Sequence, residues 1–339
     1  MKKGLLLTGI FCWLVSVLPA AAAKKLGDDS DGSRVVPVHL IRLYDENEAT
    51  IGADGDRPQP FSLRQTCGEC HSCEAISGGW HFNAADVNVA AGRPGQPWIF
   101  VDAATATQVP LSYRSWPGTF RPEQLGITYF QFTKLFGRHM PGGGVGELDS
   151  DNPDEIMRQL ISGKLEINCL ACHNANLGQD QAEYAGQIAR QNFRWAATAA
   201  CEFATVTGSA AAQPDTYDSL MSDAIAVKYN EGTFDHKNQV LLDIVRKVPN
   251  ERCYFCHSNK DIGLEKWATN EDVHLAAGLT CVDCHRHGLD HNITRGYEDE
   301  ISANQFAPDM SCKSCHLGEK SSSEPMAGRL GAPVPKHTG

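Results

Sequence analysis

The chain has 339 residues, with 41 acidic and 30 basic side chains, 13 cysteines and 13 histidines. A net charge of −11 argues against a basic nucleic-acid-binding surface, and 42% apolar residues suit a globular core rather than a membrane protein. Cysteine is too sparse for a small disulfide scaffold and too frequent to be incidental.

Lys2 and Lys3 precede an apolar run from Gly4 to Leu18 and a small-residue stretch from Pro19 to Ala23. That order predicts a signal peptide over residues 1–23, cut after Ala23. The alternative is a retained anchor, for which the run falls short of the roughly 20 residues a spanning helix needs. No later stretch is apolar enough to span a bilayer, so the mature chain is expected to have no membrane span. Residues 24–34 are charged and rich in Gly, Asp and Ser, a flexible leader.

Val35–Tyr44 and Trp98–Val101 read as short strands. Leu125, Tyr129, Phe132 and Phe136 recur at helical spacing within Pro122–Phe136. Asn152 or Asp151, then Pro153, Asp154 and Glu155, opens a helix running through Ile161 and stopped at Gly163. The Ala-rich stretch Gln179–Thr205, with Ile188, Trp195 and Ala199 on one face, predicts the longest helix, and Thr216–Tyr229 a further one. GGGVG at 142–146 lacks a following Lys-Ser/Thr and reads as a turn rather than a phosphate cradle. Residues 317–339 read as a disordered tail or as the cut end of a longer chain.

Five copies of one pattern punctuate these elements: CGECH at 67–71, CLACH at 169–173, CYFCH at 253–257, CVDCH at 281–285 and CKSCH at 312–316. Chance at this composition gives about 0.02 copies, and C-x-x-C-H is the attachment pattern of a c-type haem. Two intervening residues let one turn of chain carry both thiols to the vinyl edge of one porphyrin. The next residue then brings an imidazole to the iron. The cysteines are Cys67, Cys70, Cys169, Cys172, Cys253, Cys256, Cys281, Cys284, Cys312 and Cys315, and the proximal histidines are His71, His173, His257, His285 and His316. Five covalently bound haems are the expected cofactors. Zinc ribbons and redox dithiols also use C-x-x-C, but neither calls for histidine after every second cysteine.

Cys12 lies in the export segment, so Cys73 and Cys201 are left over. In an oxidising compartment one disulfide between them is the simplest use; two separate thiols are the alternative.

Each iron has a second axial position. Histidines outside the motifs are His39, His81, His139, His236, His274, His287, His291 and His337, enough for bis-histidine ligation throughout. His274 and His291 are the stronger candidates near the last three motifs. His81, His139, His39 and His236 are the candidates for the first two, with Met140 as an alternative to His139. His287 follows a proximal histidine too closely, and His337 lies in the Pro/Gly tail.

The motifs, export segment and spare histidines resemble the multihaem c-type cytochromes of bacterial periplasms and outer surfaces. The stretch TCGECHSCEAISGGWHFNA is similar to the first haem site of larger cytochromes of metal-reducing and environmental bacteria. Residues 253–316 resemble the compact three-haem modules of class III-type cytochromes. The resemblance implies a mainly α fold with much irregular coil and few short strands, its core formed by haems. Its domains would be a leader with a short strand (24–60), a haem 1–2 domain with helices (61–252) and a three-haem module (253–316). It implies periplasmic or extracellular electron transfer, with a quinol-oxidising membrane complex or other cytochromes as partners and a homo-oligomer or filament as an option. The other functional class is an oxidoreductase acting on a small nitrogen or sulfur oxyanion at one open haem. Pentahaem nitrite reductases carry a C-x-x-C-K site for that iron, and this chain has none.

Overall fold

The computed structural model describes residues 37–82, 98–113, 117–142, 152–257, 273–285 and 288–293. The expected export segment, leader and tail, the fifth motif (Cys312, Cys315 and His316), His287, His337 and most of the expected GGGVG turn lie outside them.

Strand β1 (Leu40–Tyr44) occupies the C-terminal half of the expected strand. It is the centre of an antiparallel sheet between β2 (Thr50–Ile51), where Leu43 faces Ile51, and a strand from much later in the chain, Gln239–Leu241, where Ile41 faces Val240. Helix α1 (Leu63–Gly68) starts at Ser62, whose Oγ accepts from Gln65 N, and α2 (Cys73–Ser77) starts at Ser72 in the same way. The strand expected at Trp98–Val101 is β3, paired antiparallel with β4 (Gln108–Leu111).

The helix expected over Pro122–Phe136 is divided. A 3₁₀ turn at Pro122–Leu125 ends on Gly126, which takes a left-handed φ of 68°. Thr128 and Gln131 then form a capping box that opens α3 (Tyr129–Phe136). Helix α4 (Pro153–Ser162) follows its expectation: Asn152 caps it, and Gly163 ends it at φ 74°. A Cβ on Gly163 would meet the Arg194 side chain at 2.4 Å. Helix α5 (Leu170–His173) carries the second motif.

The long helix expected at Gln179–Thr205 is three elements: α6 (Gln181–Ala189), α7 (Ala196–Ala200) and β5 (Ala204–Thr207). The break falls where Gln191 adopts φ 61°. Beside it the buried Asn192 bonds across the chain, donating to Gln187 Oε1 (2.7 Å) and Gly208 O (3.1 Å) and accepting from Ala210 N (2.6 Å). Such side-chain bonds compete with helix continuation. The helix expected at Thr216–Tyr229 is instead a series of turns leading to strand β6 (Ala226–Tyr229), paired with β5. Val227 and Tyr229 point inward and Lys228 outward, a period of two. The late strand of the first sheet is β7 (Gln239–Leu241). Beyond it come α8 (Asn250–His257), α9 (Val273–Ala276) and α10 (Cys281–Cys284).

The main apolar core joins β1, α1, α7, β5, β6 and β7 through Leu43, Phe61, Leu63, Trp195, Phe203 and Val240. Phe61 and Phe203 stack at 5.8 Å. A second cluster packs α3 against β3 and β4 through Leu111, Tyr113, Phe132 and Phe136, and includes the buried Met140. A third joins Phe130, Tyr184, Ile188 and Phe193. No helix among the described residues is long and apolar enough to cross a membrane.

Candidate haem sites

Each described motif is wound into one helical turn. The histidine N–H donates back to the first cysteine carbonyl: His71 to Cys67 (2.9 Å), His173 to Cys169 (2.9 Å) and His285 to Cys281 (2.8 Å). The third motif lies inside α8. One turn therefore gathers two thiols and an imidazole, as the spacing predicts.

Tertiary hydrogen bonds then fix the turns. Thr66 Oγ1 in α1 accepts from Tyr44 N of β1 (3.1 Å). Glu166, three residues before the second motif, accepts from Ser62 Oγ (2.8 Å) and Arg64 N (3.2 Å), so its carboxylate holds the start of the helix bearing the first motif. A carboxylate there complements the helix dipole. The second motif is tied to the chain after β7: Ala175 N donates to Asp243 O (2.8 Å) and Val245 N to His173 O (2.8 Å). Arg252 of α8 donates to Asn176 O (2.6 Å), just past the second motif. Asn250 Oδ1 accepts from Cys281 N (2.7 Å), joining the third motif to the fourth.

Asp283, inside the fourth motif, is buried. One of its oxygens, Oδ2, accepts from Thr280 N (2.6 Å), Thr280 Oγ1 (2.9 Å) and Lys247 Nζ (2.8 Å). Burial pushes this carboxyl up, but Lys247 and Thr280 outweigh it and hold it below the usual range.

These ties bring consecutive motifs together. Cys67 and Cys169 are within hydrogen-bonding reach, and that bond, with burial, holds the Cys169 thiol well above its ordinary range. Burial, with Cys256 and Cys169 nearby, pushes the Cys172 thiol up to about 12. Burial, with Cys281 nearby, does the same to Cys253. Sites one to four thus form an unbroken series of neighbours.

Among the candidate distal ligands, His39 stands half-buried at the start of β1, near both His71 and His173; burial first, then those imidazoles, lower its pKa. The His81 ring contacts His257, and the His291 ring contacts His173. His274 is exposed on α9, ahead of the fourth motif. Two candidates are placed differently. His139 is exposed, and its Nε2 accepts from Arg138 (2.9 Å). His236 is exposed in the turn before β7, beside Asp235. Met140 belongs to the second apolar cluster and is 1% exposed, so its thioether is used in packing.

The expected Cys73–Cys201 disulfide is not formed. Cys201 is buried and donates to Thr198 O (2.8 Å), while the Cys73 thiol donates to Arg64 O (3.7 Å). The Cys73 bond runs from α2 back to α1 and the Cys201 bond stays within the end of α7, and burial raises the pKa of Cys201.

Two further residues fit the sites to a haem, and neither was singled out by motif. Arg252 is 7% exposed and has no acidic partner among the described residues, and its Nε lacks a hydrogen-bond partner. A buried unpaired cation is costly. Arg252 lies close enough to Cys172 to influence it, and a haem carries propionate carboxylates that would complement it. The hydroxyl of Tyr184, fully buried near Cys256, also lacks a partner. The histidines fit as well: His173 Nδ1 meets Val245 O at 2.8 Å, and His291 Nδ1 meets Leu289 O at 3.0 Å. A backbone carbonyl at Nδ1 orients the ring and assigns Nε2 to a metal.

Turns that gather two thiols and an imidazole, repeated beside one another, fit covalently tethered haem. Residues 267–329, which contain the fourth and fifth motifs, match the family described as cytochrome c7 and related cytochrome c. The match supports a c-type cytochrome, with covalently bound c-type haem and a role in electron transfer. No curated protein and no solved structure matches the chain.

Proposed function

We propose that the protein is a secreted pentahaem cytochrome. It passes electrons along closely spaced, mostly bis-histidine haems, between a membrane or periplasmic donor and a periplasmic or extracellular acceptor. The observation that carries the reading is the succession of adjoining CxxCH turns: the first beside the second, the second beside the third, the third beside the fourth. Each bound haem supplies a one-electron redox couple. The chain's own part is to hold neighbours close, to orient imidazoles through backbone carbonyls and to place the Arg252 charge beside the second and third sites. Axial histidine favours low potentials. The expected export segment at residues 1–23 supports a place outside the inner membrane. Donor and acceptor are other redox proteins, a quinol-oxidising membrane complex or further cytochromes, whose encounter the acidic surface steers.

The mass of the purified secreted protein tests this reading. The expected mass is that of the chain cut after Ala23 plus five haems, with a low-spin spectrum from every iron. A colourless product with the bare polypeptide mass overturns it.

A further inference from the structure

The His81 and His257 ring centres are 6.1 Å apart with planes at 76°, and the His291 and His173 centres are 6.2 Å apart with planes at 73°. Each contact joins a CxxCH histidine to a histidine outside the motifs. Metal–imidazole bonds of about 2 Å on opposite sides of one iron space two ring centres by about 6 Å.

Edge packing of aromatic rings also falls at about 4.5–7 Å, so distance alone does not decide. Exposure separates the two explanations for the first pair. His81 and His257 are both exposed, and an edge contact between exposed polar rings buries little apolar area. Orientation separates them for the second pair. His173 and His291 each engage a backbone carbonyl through Nδ1, which assigns both Nε2 atoms to a metal.

Backbone geometry adds a further argument. His291 adopts φ 53°, a left-handed conformation uncommon outside glycine. It is held there against Gly79, two residues before His81. A Cβ on Gly79 would lie 2.6 Å from His291 O and 2.7 Å from its Cβ. Phe82 also packs on the His291 ring, at 6.2 Å. The segments carrying the two non-motif histidines are therefore locked to each other.

We propose that His291 is the distal ligand of the haem attached at Cys169 and Cys172, opposite His173, and that His81 is the distal ligand of the haem attached at Cys253 and Cys256, opposite His257. This rests on the reading of the motifs as haem sites and deepens it. The ligands cross between segments: a residue just after the first motif closes the third haem, and one just after the fourth closes the second. Under this pairing residues 253–316 are not a self-sufficient module.

The test uses the intact holoprotein with His81→Gly and His291→Gly, separately and together. Haem content is read by mass, because thioethers rather than distal ligands retain the haem. Spin state is read by low-temperature EPR of the oxidised protein. The expected result is an unchanged haem content, one high-spin iron in each single variant, two in the double, and return to low spin on adding imidazole. In a background lacking the third haem (Cys253→Ala with Cys256→Ala), His81→Gly adds no high-spin iron, whereas His291→Gly still adds one. Where that background does not accumulate, the iron–nitrogen bonds in a crystal structure of the holoprotein read the pairs directly. A variant that loses its haem is replaced by His81→Met or His291→Met, for which low-spin iron at a raised potential is expected. Irons that all stay low-spin at full haem content overturn the pairing, as does a high-spin iron from His81→Gly that persists without the third haem. A wild-type protein without covalent haem overturns instead the cytochrome reading on which the pairing stands.

Discussion

The chain up to Val248 and the chain beyond it are stabilised by different means. Before that point, buried residues are chiefly apolar, with Trp195, Phe61, Leu43 and Phe132 each at most 1% exposed. Beyond it, the only buried residues among those described are Arg252 and Asp283, both charged. The first region closes a core from its own side chains. The second has none among the described residues, and on the proposed haem sites its order comes largely from what its cysteines and histidines hold. A haem is a large apolar plate, and burying it supplies the hydrophobic driving force the second region's sequence lacks.

Haem removal tests this contrast most severely. Protein made without haem attachment is expected to lose amide-exchange protection across α8, α9 and α10, while β1, β7, α6 and α7 stay protected; equal loss in both regions breaks the contrast. Next in size is Trp195→Ala, which opens a cavity in the first region's core and costs about 3–5 kcal/mol in denaturant unfolding. It should leave the haem spectrum unchanged if the regions are stabilised separately.

Asp283→Ala comes third. It strips the partners from Thr280 N and Lys247 Nζ, and should cost about 1–3 kcal/mol where the second region meets the end of the first. Its carboxyl lies below its ordinary 3.8 when folded. The stabilisation is therefore fully present above that value and lost as pH falls through the lower folded value. Acid should loosen α10 before β1, with Asp283→Asn abolishing the difference; exchange measured at stepped pH decides. Smallest is Arg252→Gln, expected to lower the reduction potential of the second or third haem by removing a positive charge beside it. Unmoved potentials in a redox titration would mean that Arg252 serves packing alone.

The sequence foretold local features well and long-range ones poorly. The CxxCH turn is fixed by five consecutive residues, and its hydrogen bond from histidine to first cysteine formed as the spacing implies. Strand β3 and the caps of α4 were legible because Trp98–Val101, Asn152 and Gly163 act within a few residues. The break between α6 and α7 was not, because Asn192 finds its partners at Gly208 and Ala210 only once the chain has turned. The β6 strand was hidden by a polar stretch whose alternation matters only when β5 lies beside it. A Cys73–Cys201 bridge was suggested because these two cysteines are left over from the motifs, and two separate hydrogen bonds, to Arg64 O and Thr198 O, replace it. Among the histidines, candidates were readable but their neighbours were not: nothing near His81 announces His257. Arg252 was invisible, since a charge before a cysteine looks like surface until its burial is seen.

The Glu166 carboxylate, clasping Ser62 and Arg64 across the chain, bears on how the protein is manufactured. Cys67 and Cys169 both lean on the finished apolar core, and the clasp draws their two turns together. An attachment enzyme must thread each turn through its own active site with both sulfurs accessible. Cys67, Cys169 and Cys172 are partly covered in the finished fold, so on the haem reading the first two groups are attached more readily while the polypeptide is still open. Loading is then expected to run ahead of closure of the N-terminal half, and a chain that collapses early is expected to carry fewer groups at those two positions.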